Sequence, residues 1–151
     1  MSFAVVPAIY VVFPRGEGAA VEVLLQLRQG TGYMDGFWAT AAAGHVEEGE
    51  SVFAAAAREA REELGVKDVR LTPLCAMHRV QPGGDAVDQR VDYFFAAGSW
   101  VGEPTILEPD KCADLRWFRL DALPDPVVPH ELEVLEALRD GSVPAIMSYG
   151  C

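Results

Sequence analysis

The sequence predicts an α/β chain of the α+β kind, in which a mixed β-sheet is flanked by helices. Three observations predict it. Runs rich in Val, Ile, Leu and Phe lie on both sides of one long alanine-rich segment. That segment has helical periodicity with a stop signal at its end, and a second amphipathic stretch closes the apolar pattern near the C-terminus. Strands around a helix plus a terminal helix give a sheet covered by helices.

The elements follow in order. Residues 3–13 and 21–28 are apolar and β-branched, and they flank the turn Pro14-Arg15-Gly16-Glu17-Gly18, so they read as two strands. Residues 30–36 hold three glycines and read as a loop, and 37–46 as irregular extended chain. Residues 51–64 read as a helix, with Ser51 as N-cap and Gly65 as stop. Residues 69–80 and 90–97 read as two strands joined by a turn at Pro82-Gly83-Gly84-Asp85, residues 115–120 as a shorter strand, and 128–140 as a second helix ending at Gly141. There is no internal repeat and no linker, so residues 1–151 are expected to form one domain.

Composition narrows the function. Half of the 151 residues are hydrophobic, and the formal net charge is −11. An acidic surface repels nucleic-acid backbones, so a polymeric nucleic acid is not the expected partner. The three cysteines, Cys75, Cys112 and Cys151, lack metal-site spacing, which fits a reduced, cytoplasmic compartment. The apolar start MSFAVVPAIYVVF has no basic leader and is broken by Pro7, so it reads as a core strand, and no run is long enough to cross a bilayer.

The chemistry concentrates in Gly44–Val66, GHVEEGESVFAAAAREAREELGV. With Glu59 at zero on a helical wheel, Glu62 lies at roughly −60° and Glu63 at roughly +40°. Phe53, Ala57, Ala60 and Leu64 cluster between roughly +100° and +160°, the face expected to pack on the sheet. The carboxylates then border the buried stripe, with small residues Val52, Ala55 and Ala56 leaving space above them. Acids so close repel one another. A solvated helix face, with Arg58 pairing to Glu62, is the plain reading; a divalent metal site is the sharper one. Mg²⁺ takes oxygen ligands and keeps positions open for phosphate oxygens.

Gly44, Glu50, Arg58, Glu59, Glu62, Glu63 and Gly65 resemble the signature of the Nudix (MutT-like) hydrolase family. Seven such positions at roughly 7% background each recur by chance about once in a million chains of this size. Gly36-Phe37-Trp38, Glu108-Pro109-Asp110-Lys111-Cys112, Leu115-Arg116-Trp117-Phe118 and Leu123-Pro124 extend the resemblance over most of the chain. The resemblance implies an α/β/α sandwich and a Mg²⁺-dependent hydrolase, with Mn²⁺ as a substitute. The substrate would be a nucleoside diphosphate linked to another moiety: a nucleoside triphosphate, oxidised nucleotide, dinucleoside polyphosphate or nucleotide sugar. It implies metal ligation by Glu59, Glu62, Glu63 and the Ala43 carbonyl. Glu62 or the late-loop Glu108 would act as base, with Glu50 and Arg58 orienting the ligands. Arg28 resembles an arginine that faces substrate, a solvated strand end being its other reading. Phe37, like Trp38 and Tyr33, is a candidate for stacking a base, or else a loop anchor. Family members are commonly homodimers.

Ala60, Thr40-Ala41 and Ala43 depart from the usual pattern, and none removes a carboxylate. Two other readings stand beside the hydrolase. One is a nucleotide-binding regulatory module of the same fold. The other is an isopentenyl-diphosphate isomerase, which needs a positioned cysteine and a histidine metal cluster that the sequence does not display. Cys112 is read as a buried thiol.

Overall fold

A computed structural model describes residues 2–151; Met1, which opens the apolar N-terminal stretch, lies outside the described residues. The strands are β1 (Val6–Val12), β2 (Pro14–Arg15), β3 (Glu22–Arg28), β4 (Trp38–Thr40), β5 (Ala42–His45), β6 (Lys67–Arg79), β7 (Arg90–Val101), β8 (Cys112–Arg119) and β9 (Ile146–Tyr149). The helices are α1 (Val52–Leu64) and α2 (Pro129–Arg139).

The strands form two sheets rather than the single one expected. The first is mixed, in the order β5-β1-β7-β6-β9. Here β1 runs parallel to β7 and β9 parallel to β6, while the β1–β5 and β6–β7 pairs are antiparallel. The second is antiparallel and is built on β3, which pairs with β2, β4 and β8. Strand β9 was not anticipated. Its four residues pair with Ala76–Arg79, about seventy positions earlier, and such a partner leaves no local signal.

Strand β1 shows why its sequence is almost continuously apolar. Successive side chains point to opposite faces of a sheet, and both faces of β1 are covered. Ile9 and Val11 pack with Ala55, Ala56, Ala60 and Leu64 of α1. Ala8 and Tyr10 pack with Met77, Phe94 and Val134 of α2. Helices on both faces of the mixed sheet make the expected layered α+β architecture.

Helix α1 begins and ends as its sequence indicates. The Ser51 hydroxyl accepts the Ala54 N–H at 3.0 Å, and Gly65 closes the helix in the left-handed region at φ 73°. Its buried face differs from expectation. Ala55, Ala56, Ala60 and Leu64 are fully buried, whereas Phe53 is 51% exposed. The buried stripe therefore runs from roughly −40° (Ala55) to +140° (Leu64) on the wheel. Ala55 and Ala56 are the contact surface and do not leave space. Small residues there let α1 approach the sheet closely, and the larger Phe53 rests at the margin against Phe95, ring centroids 5.1 Å apart. Glu59 and Glu63 consequently sit inside the buried stripe, and only Glu62 borders it.

Candidate metal and diphosphate site

The site forms where the chain leaves one sheet and enters the other. Strand β4 pairs with β3, and after Ala41 the chain continues as β5 on the edge of the mixed sheet. Two long-range side chains occupy backbone groups at this switch. The Gln26 amide donates to the carbonyls of Thr40 and Ala41 at 3.0 and 3.2 Å. The buried Glu131 carboxylate of α2 accepts the Thr40 N–H at 2.7 Å. Buried backbone groups without ladder partners need such side chains.

The register of β5 decides what its edge presents. Val46 N–H donates to the Pro7 carbonyl at 3.0 Å, and Tyr10 stands opposite Ala43. Hydrogen-bonded pairs alternate along an antiparallel ladder, so Ala43 falls in a non-bonded pair. Its N–H and C=O both point away from β1, over the free edge. There the N–H donates to Glu63 Oε2 at 3.0 Å.

Gly44 follows, and a Cβ built on it would collide with the Glu59 carboxylate. This is the physical reason for glycine at that place: the acid lies directly against the strand. Arg58 organises the other side. Its guanidinium grips Glu50 with two bonds (Nε–Oε2 2.8 Å, Nη2–Oε1 3.0 Å) and donates to Glu59 Oε1 at 2.7 Å. It also reaches the His45 carbonyl at 3.1 Å and Glu62 at 3.3 Å. Glu50 in turn accepts the Glu47 N–H at 3.1 Å, tying the loop to the helix. The Arg58 bonds, helped by that amide, hold the Glu50 carboxyl down at about 2.

Glu63 has the opposite environment. Burial, reinforced by the charges of Glu59 and Glu108, pushes its carboxyl up to about 9, and the Ala43 N–H offsets only part of this. Burial also raises Glu59, against the pull of Arg58. Glu63 lines a cavity of about 360 Å³ together with Gln26, Arg28, Ala43, Glu108 and Cys112. Among the described residues no salt bridge reaches Glu63. In this conformation Glu59 and Glu62 turn to Arg58, and among the described residues no three metal-binding side chains converge on one point. The donor set nonetheless suits a hard divalent cation: a half-buried carboxylate outside any salt bridge, a second beside it and an edge carbonyl, all oxygen.

The other residues singled out from sequence are distributed unevenly. Arg28 lines the cavity, with its guanidinium on the Tyr33 carbonyl (2.8 Å) and Thr31 hydroxyl (3.0 Å). Glu108 lines it too, 3.7 Å from Lys111. Glu62 projects outward with its side chain 54% exposed. Phe37 lines neither this cavity nor the adjoining one; its carbonyl accepts the Arg28 N–H at 3.0 Å, and the aromatics lining the adjoining cavity are Tyr10 and Tyr33. Gln26, Glu131 and Cys112 were not singled out for the site. Gln26 and Glu131 owe their places to pairing across 14 and 91 residues. Cys112 is buried as expected, but its residue also borders the cavity.

A family model described as the NUDIX domain matches residues 5–138. The chain belongs to the Nudix family. The Nudix domain's fold is also that of a MutT Nudix hydrolase from Burkholderia pseudomallei, whose crystal structure superposes with a TM-score of 0.72 at 30% identity, covering 86% of this chain and 96% of that one. An isopentenyl-diphosphate Δ-isomerase from Enterobacter sp. (strain 638) is 34% identical over 91 residues, 58% of this chain and 48% of its own. The NAD-capped RNA hydrolase NudC of Pseudomonas aeruginosa is 29% identical over 146 residues, 93% of this chain and 48% of its own. The chain thus spans about half the length of the curated relatives it matches. No described helix of this Nudix chain is long and apolar enough to cross a membrane.

Proposed function

We propose that this Nudix chain hydrolyses the phosphoanhydride bond of a nucleoside diphosphate linked to another moiety, using Mg²⁺ or Mn²⁺. The observation that carries this reading is the place of Glu63: its carboxylate borders an open cavity beside Glu108, accepts the Ala43 N–H at the free edge of β5, and among the described residues forms no salt bridge. Glu59, Glu62, Glu63 and the Ala43 carbonyl are the groups that would hold the metal. Bound there, a divalent cation supplies charge neutralisation at the diphosphate and acidifies water.

The chain's own residues do the rest. Arg58 fixes Glu59 and locks the Glu47–Glu50 loop against α1, so that the carboxylates are positioned before substrate arrives. Arg28 faces the cavity with a cation whose partners are neutral oxygens, leaving it able to bind a phosphate. A water attacking phosphorus must lose a proton. Glu108 lines the cavity with Glu63 whereas Glu62 points outward, so we assign the acceptor to Glu108 and leave Glu62 to hold metal beside Arg58.

The test is turnover on a nucleotide panel with Mg²⁺, products being identified by mass. Glu63→Gln is expected to lower kcat by several orders of magnitude while the circular dichroism spectrum persists. Near-normal turnover in that variant, with metal still required, would sink the assignment. Glu108→Gln should lower kcat more than Glu62→Gln if the proton goes to Glu108.

One observation favours a second reading, the isomerase. Cys112 brings a thiol to the same cavity, and four matching relatives bear that name. Double-bond migration in isopentenyl diphosphate without phosphate release would select it, and loss of phosphoanhydride from nucleotides would reject it.

A further inference from the structure

A second cavity, of about 380 Å³, adjoins the first and shares Gln26, Arg28 and Ala43 with it. Three arginines line it: Arg28, Arg79 and Arg90. This is unusual placement in a chain with 12 basic and 23 acidic residues. Of the three carboxylates nearby, Asp88, Asp92 and Glu131, only Asp92 pairs with the arginines. Asp92, fully buried beneath the arginines, accepts Arg79 Nε at 2.6 Å. It stands 3.5 Å from Arg90 Nε without hydrogen-bond geometry, so Arg90 Nε and Asp92 Oδ1 are both buried without a partner. Asp88 accepts the Asp85 N–H, and Glu131 accepts the Thr40 N–H. Among the described residues neither carboxylate forms a salt bridge with any of the three arginines. Burial above all, with the charges of Arg79, Arg90 and Arg28 adding to it, depresses the neighbouring His130 to about 2.

We propose that this cavity is a subsite for a phosphate group carried by the moiety beyond the scissile diphosphate, with Arg90 and Arg79 as the residues that select it. The proposal rests on the hydrolase reading for its substrate and adds the class of substrate. Guanidinium groups bind phosphate through paired N–H bonds, and desolvated arginines lose less to water competition than surface ones. The scissile diphosphate occupies the cavity beside Glu63 and Glu108. A substrate spanning both cavities then passes over the shared residues Gln26, Arg28 and Ala43. An uncharged sugar or base would offer these guanidinium groups no charged acceptor.

The experiment compares NADH with NADPH, which differ by one phosphate, in kcat/KM under Mg²⁺ and in calorimetric binding without metal. Wild type is expected to favour NADPH about tenfold in both measurements. Arg90→Gln should lower NADPH about tenfold more than it lowers NADH, removing the preference, and Arg90→Lys should restore part of it. Equal kcat/KM or equal affinity for the two in wild type, or an Arg90→Gln effect of the same size on both, overturns the subsite. Inorganic phosphate is added as competitor. Competition that depends on Arg90, with no NADPH preference, also overturns it, because the cavity would then take a free phosphate. Absence of turnover on either dinucleotide counts against the hydrolase reading alone, because the binding arm still decides the subsite.

Discussion

Replacing Glu63 by glutamine should stabilise the metal-free protein while destroying the function proposed for it. The glutamine is isosteric, and its amide oxygen still accepts the Ala43 N–H. What disappears is the cost of a carboxyl whose folded pKa is pushed to about 9 from an ordinary 4.5. The sign follows from proton linkage. Between these values the folded state holds a proton on Glu63 and the unfolded state does not, so stability falls as pH rises through the window. The slope is about 1.4 kcal/mol per pH unit, giving about 3 kcal/mol at pH 7 and about 6 kcal/mol by pH 9. The assay is urea unfolding in EDTA at pH 5, 7 and 9. Wild type and Glu63→Gln should have similar stability at pH 5 and diverge steadily above it, with the variant the more stable. Saturating Mg²⁺ should close the gap by stabilising wild type alone. Parallel pH profiles, or a variant less stable at pH 9, would refute the argument that Glu63 is a buried acid lacking a cation.

Three further outcomes follow from the same geometry. Gly44→Ala drives a methyl group into the Glu59 carboxylate, the far end of a flexible side chain that can swing away, so Tm should change little while kcat falls at least tenfold, read by thermal melting and steady-state kinetics. Arg58→Lys keeps the charge but loses the two-pronged bond to Glu50 and the bond to Glu59; kcat should fall at least tenfold with KM little changed. Ser51→Ala removes the α1 cap and should cost about 1 kcal/mol, lowering Tm by about 2–4 °C without altering the metal requirement.

Much of this molecule is legible in its chain. The α1 boundaries follow from Ser51 and Gly65, since a cap and a left-handed stop act within a few residues. The two-sided burial of β1 agrees with its almost continuous apolar run. The carboxylate frame of Glu59, Glu62 and Glu63 and the Arg58–Glu62 pair come from helical spacing. The buried face of α1 was misread because alanine signals neither burial nor exposure, and only the close approach of the sheet decides it. Likewise β9, Gln26, Glu131 and the arginine-lined cavity depend on pairings across long separations. Local physics thus determined the elements and the order of their charges along the chain. The tertiary structure decided which charges lose water and face one another. Desolvation and Coulomb repulsion, which set the properties of Glu63, act through space and not along sequence.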